Sequence, residues 1–124
     1  MTDDLVDTTL ELCGKDENKT LRFPKVLYSS YVKRIVETAL DIQELVWEAN
    51  EIVIGEMRET AQKTAAAKCV YLNHLIRIAH HRGWISDKQR NRWQALTTKI
   101  KFAIVGWIKS DKKRMETIEH SGTA

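Results

Sequence analysis

An all-α chain, folded as an antiparallel four-helix bundle, is what three features of the sequence predict. One proline and five glycines in 124 residues cannot supply the turn signals that an all-β chain needs about every 8–12 residues. Apolar residues recur at steps of three and four along three long stretches, the spacing that keeps side chains on one face of a helix. The connections between those stretches are short, which makes successive helices antiparallel neighbours. The length is that of one domain, residues 1–124, and 43% hydrophobic residues suffice for a single core.

The first helix is expected over residues 3–14. Asp3, Asp4 and Asp7 put negative charge where a helix N-terminus favours it, Leu5, Val6, Thr9, Leu10 and Leu12 form a short amphipathic face, and Gly14 ends it. Lys15 to Arg22 is polar and reads as a loop. Pro24 then opens a second helix, expected over residues 25–54, because a proline near the first turn gives up an N–H that would be unpaired there anyway. Its core face is Tyr28, Ile35, Ala39, Ile42, Val46, Ala49 and Val53. Glu37, Asp41, Glu44, Glu48 and Glu51 form an acidic stripe opposite. Val36, Leu40, Trp47 and Ile54 flank the core face and make the apolar sector wider than one neighbouring helix covers. Either two helices of the same bundle cover it, or a second subunit does.

A third helix is expected over residues 57–82, with Ala61, Ala65, Cys69, Leu72, Ile76 and Ala79 inward and Lys63, Val70, His74, Arg77 and His81 on the far side. Gly83 follows as a C-terminal cap, and Trp84 with Ile85 packs the short connection. The fourth helix, residues 87–114, begins at a capping box, Ser86 with Gln89. Trp93, Leu96, Ile100, Ala103 and Trp107 are its expected core stripe; Phe102 and Val105 fall off that stripe and suggest a second contact surface. Residues 115–124 read as a frayed end and tail.

The net charge of +3 hides a division. Residues 61–114 carry thirteen lysines and arginines against Asp87 and Asp111, while residues 1–60 carry seven bases against thirteen acids. Such a chain either offers a polyanion a basic face or pairs its halves with each other, within or between subunits. No apolar run approaches the roughly 18 residues of a membrane span, and the start MTDDLVDTTL is acidic where a secretory signal is basic and then apolar. A cytoplasmic protein without membrane attachment is expected, with Cys13 and Cys69 as free thiols. No Glu-x-x-His occurs, His80 and His81 are adjacent and so diverge on a helix, and His74 with His81 has no acidic ligand nearby, so no metal is expected. With no nucleophile elbow, Walker lysine or phosphate-cradling glycine loop, neither an enzyme nor a cofactor is expected. Tyr71, Trp84 and Trp93 interleave with the bases and could stack on unpaired bases, although Trp93 lies on the core stripe.

The order of these features resembles the Avd family, the accessory variability determinants of diversity-generating retroelements. The resemblance covers roughly residues 5–114. It rests on Phe23-Pro24 before the long second helix, the run LIRIAHHRG ending the third, with Leu75, Ile76, Arg77 and Gly83, and IVGWIK in the fourth, with Gly106, Trp107 and Ile108. A related branch, the four-helix-bundle proteins of ribosomal RNA intervening sequences, carries an Asn-Ile-Ala-Glu-Gly-like motif where this chain has Glu48-Ala49-Asn50-Glu51-Ile52. That departure favours the Avd branch.

The resemblance implies a non-catalytic, ring-like homopentamer that binds the element's reverse transcriptase and template-repeat RNA and supports mutagenic cDNA synthesis. From charge and face, the residues expected to contact RNA or polymerase are Lys63, His74, Arg77 and His81 of the third helix and Arg90, Arg92, Lys99, Lys101, Lys109, Lys112, Lys113 and Arg114 of the fourth. Val36, Leu40, Trp47, Phe102 and Val105 are expected at subunit contacts. The competing reading is a structural four-helix-bundle interaction protein whose opposite charges pair between subunits and which binds no nucleic acid.

Overall fold

The computed structural model describes residues 1–122, and side chains through Ile118. It is all-α, with four packed helices: α1 (Thr2–Leu12), α2 (Tyr31–Glu51), α3 (Glu56–His81) and α4 (Asp87–Gly122). α1 packs on α2 and α4, and α3 packs on the same two. The helices therefore follow one another around the bundle, with α2 and α4 on one diagonal. Glu11 at the end of α1 reaches Arg92 at the start of α4, whereas Met1 and Thr2 lie beside Ala103 and Trp107. Thus α1 runs antiparallel to α4, and its first residues lie beside Asn50, near the end of α2.

The second helix is shorter than residues 25–54. Pro24 opens only a 3-10 turn, Lys25–Leu27, and the chain then bends through Ser30 before helical geometry begins. The bend is held by aromatic packing. Phe23 is buried and its ring lies 5.8 Å from that of Trp84 and 6.5 Å from that of Tyr31, and the Tyr31 hydroxyl donates to the Leu75 carbonyl. This cluster closes the end of the bundle opposite Gly55. At the other end of α2, Ile52 is extended (φ −92°, ψ 137°), as suits the β-branched run Ile52-Val53-Ile54. Tyr28 and Val53, expected on the helical core face, fall outside the helix, and Val53 is exposed.

α3 buries Ala65, Cys69, Leu72, Ile76 and Ala79, together with Leu75 and Gln62. It stops in a Schellman arrangement, with Gly83 at φ +78°, its N–H donating to His80 and that of Trp84 to Ala79. Only glycine takes that backbone conformation without strain. The capping box then starts α4: Gln89 N–H donates to Ser86 Oγ (3.2 Å) and Ser86 N–H to Gln89 Oε1 (2.8 Å). Ser86→Ala should cost about 1 kcal/mol, the usual worth of an N-cap, read as a lower urea midpoint at unchanged slope.

On α4 the core line is rotated from the expected stripe. Trp93, Thr97, Ile100, Ile104 and Asp111 are buried, Leu96 and Trp107 are half-buried, and Ala103 is exposed. Thr97 belongs inside because its hydroxyl donates to the Trp93 carbonyl at 3.0 Å, which satisfies the one polar group that apolar periodicity would count against it. The helix also runs past 114 to Gly122; nothing from Met115 to Ser121 breaks it, and Thr117 bonds back to Lys113. Residues 123–124 of the expected tail lie outside the described residues. No helix among the described residues is long and apolar enough to cross a membrane.

Candidate nucleic-acid interface

The expected basic residues divide into two sets once their partners are considered. On α3, His74, Arg77 and His81 are exposed and make no ion pair among the described residues; Lys63, one end of the same row, reaches back to Glu59 at 3.5 Å. The α3 core stripe of small and branched residues turns this row outward. On α4, Lys99, Lys109 and Lys113 are exposed without an ion pair among the described residues. Lys109 and Lys113 stand on the outward face of α4, the helix next to the α3 row, whereas Lys99 lines a groove against α1.

The second set is committed within the chain. Arg92 grips Glu11 with both terminal nitrogens, at 3.3 and 3.2 Å, and ties α1 to α4. That hydrogen bonding, with the guanidinium charge, holds the Glu11 carboxyl below the usual glutamate range. Arg90 is half-buried; it donates to Asn91 Oδ1 (3.1 and 3.2 Å) and lies 3.2 Å from His80 Nδ1. His80 bonds Asp87 through its other ring nitrogen, and this bond is the chief cause of the lowered Asp87 pKa. Lys112 bonds Glu59 at 3.0 Å and is the main reason that carboxyl is also lowered. Arg114 lies 4.0 Å from Asp111, and Lys101 is half-buried with its ammonium 5.9 Å from the centre of the Phe102 ring. Arg90, Arg92 and Lys112 therefore already have partners within the chain, which a phosphate would have to displace.

The acidic stripe is outward as expected, except that Asp41 is half-buried and accepts from Lys68 at 3.2 Å. Of the expected subunit contacts, Trp47 (76% exposed), Phe102 (66%) and Leu40 (43%) stand at the surface. Val36 is half-buried against the core of its own chain and Val105 is half-buried. Val36 sits one quarter-turn from Ile35, close enough to the core line to be covered within the bundle. Val46, Trp47, Ala103 and Trp107 line a mostly apolar groove of about 410 Å³ between α2 and α4, at the point where α1 begins.

One buried polar cluster was not legible as a site. Asp111 is 5% exposed and accepts from Gln62 Nε2 (2.9 Å) and Arg58 Nη2 (3.2 Å), with Arg58 Nε 2.8 Å from its other oxygen. The Arg58 guanidinium also lies over the Trp107 ring, 4.7 Å from its centre. A cleft of about 250 Å³ adjoins the cluster, yet the carboxylate is already fully engaged. The arrangement is a cross-helix tie. The signal was available: Asp111 stands seven residues from Ile104 on the core line, and Arg58 and Gln62 are four apart on α3.

Burial pushes the Cys13 thiol up to about 12 and the Cys69 thiol up to about 11, so both stay protonated and are poor nucleophiles. No group of three or more metal-ligating side chains occurs among the described residues. No family model matches the chain, and no curated protein and no solved structure matches it.

Proposed function

We propose that this protein is an oligomeric, non-enzymatic accessory of a diversity-generating retroelement, binding template RNA and the reverse transcriptase in support of mutagenic cDNA synthesis. The observation that carries the reading is the outward row of α3: Lys63, His74, Arg77 and His81 on one face, with three of the four free of ion pairs among the described residues. Arg77, a cation left unpaired on a rigid helix face, attracts phosphates without sequence preference, and the flanking His74 and His81 rings offer hydrogen-bonding nitrogens beside it. The motifs that resemble the Avd family supply the polymerase and the ring. Non-specific phosphate contact through α3 is the part the residues themselves support.

A structural bundle that binds no nucleic acid is the second reading, and a specific observation favours it. Arg90, Arg92 and Lys112 are engaged within the chain, so part of the basic excess is already paired.

The two readings separate on Arg77→Glu combined with His81→Glu, tested against a structured RNA by fluorescence anisotropy across a salt series. Under the accessory reading, affinity falls at least tenfold and the slope of log affinity against log salt loses about 1 for each phosphate contact removed. Helicity and light-scattering mass stay unchanged. Wild-type protein that binds no RNA at low salt would sink the reading.

A further inference from the structure

The acids of α1 facing α4 form one row. Asp4, Asp7 and Glu11 stand at steps of three and four, which places them on one side of the helix, and all three are exposed. α4 carries a basic row of its own. Lys88, Arg92 and Lys99 follow at steps of four and seven and share a side of that helix. A groove of about 540 Å³ between the two helices has Asp4, Asp7 and Glu11 on one wall and Arg92 and Lys99 on the other.

The rows are in register. Glu11 is held by both terminal nitrogens of Arg92, and the two helices are antiparallel. Asp4 lies seven residues from Glu11, and Lys99 seven from Arg92. Each interval is about 10.5 Å of helix, so Asp4 stands level with Lys99. Asp4, Asp7, Lys88 and Lys99 make no ion pair among the described residues.

These acids do little to seat α1. Leu5, Thr9 and Leu12 are buried, and Trp93 bonds Thr9, whereas Glu11 and Arg92 are each about half exposed, the kind of pair that adds little to stability. Their larger effect is on the field outside. Three carboxylates cancel the three cations of the α4 row, so this flank offers a polyanion no net attraction.

We propose that the acidic row of α1 is an intramolecular polyanion mimic, which occupies the Lys88, Arg92 and Lys99 row of α4 in place of phosphates, keeps RNA off that flank and leaves the α3 row as the open approach. The inference rests on the RNA reading and names what restricts it.

The test is fluorescence anisotropy of the full chain with the same structured RNA across a salt series, comparing wild type with Asp4→Asn/Asp7→Asn/Glu11→Gln. The carboxamide of Glu11→Gln still accepts from Arg92, so α1 stays seated, which unchanged helicity and light-scattering mass confirm. Affinity should rise at least tenfold at low salt, and the slope of log affinity against log salt should steepen by about 2 as the uncovered cations meet phosphates. Adding Arg92→Gln and Lys99→Gln to the triple variant should remove the gain. Glu44→Gln/Glu48→Gln/Glu51→Gln changes net charge equally on the outward side of α2, and should raise affinity less than threefold at unchanged slope. A wild type that binds RNA with no gain in the α1 variant, or an equal gain in the α2 variant, overturns the mimic alone. Failure of both wild type and the α1 variant to bind overturns the mimic and the RNA reading together. Binding that appears only in the α1 variant upholds the mimic and rejects the α3 row.

Discussion

Asp111→Ala should cost about 3–5 kcal/mol of folding stability, the penalty for breaking a buried ion pair from one side. The carboxylate removed is, among the described residues, the only anion within bonding distance of an Arg58 guanidinium whose side chain is 12% exposed, and Gln62 loses its acceptor with it. Arg58 cannot swing clear at no cost, because it also donates to the Ile52 carbonyl (3.3 Å) and rests on Trp107. The position in the fold enlarges the effect. Asp111 lies one turn beyond Trp107, the α4 residue beside the start of α1, and there α3 and α4 are joined by this polar tie. Replacing both partners at once, Arg58→Met with Asp111→Leu, should recover most of the loss, since two apolar side chains of similar size leave no charge unpaired. Urea denaturation of the two single variants and the double gives the coupling directly. An Asp111→Ala cost under about 1 kcal/mol would show that water reaches Arg58 freely and that the tie is a surface pair.

Asp111 also marks where reading the sequence stopped working. Four helices, the capping box at Ser86, the Gly83 cap and the inward stripe of α3 were all legible, because each is written in local spacing or in a turn residue with one physical use. The core line of α4 was not. Counting only apolar residues selected Ala103 and passed over Thr97 and Asp111, which are inside because their polar atoms find partners, Thr97 on the Trp93 carbonyl one turn back and Asp111 on α3, and neither partner leaves a mark on apolar periodicity. The early start expected for α2 failed for a similar reason: Phe23, Tyr31 and Trp84 meet across 61 residues of chain, and their packing overrides the helix start that Pro24 suggests. For the candidate site, charge and face located the α3 row. They could not separate Arg77, which is unpaired among the described residues, from Arg92, which is spent on Glu11, because the two arginines differ only in what the fold brings to them.

The other large effect is expected at Trp93, the largest fully buried side chain of the bundle. Trp93→Ala should cost about 3–5 kcal/mol, combining the lost apolar burial with the cavity that a close-packed core cannot close. Its consequence should be uneven along the chain. The indole N–H donates to Thr9 Oγ1 at 3.0 Å, and both groups are buried, so the substitution unseats α1 in particular. At 11 residues, α1 falls short of the roughly 12–15 residues at which isolated helices become even marginally stable, and the exposed Glu11–Arg92 pair adds little to hold it. Hydrogen exchange should therefore show protection of residues 2–12 collapsing in Trp93→Ala while the amides of α3 slow and quicken only with global stability. Trp93→Phe separates the two contributions: it keeps most of the apolar volume and loses the hydrogen bond, so a cost of about 1–2 kcal/mol is expected from the unpaired Thr9 hydroxyl and the smaller ring. Equal loss of protection in α1 and α3 would mean that α1 is part of one cooperative unit with the other three helices, and that its attachment does not depend on this contact.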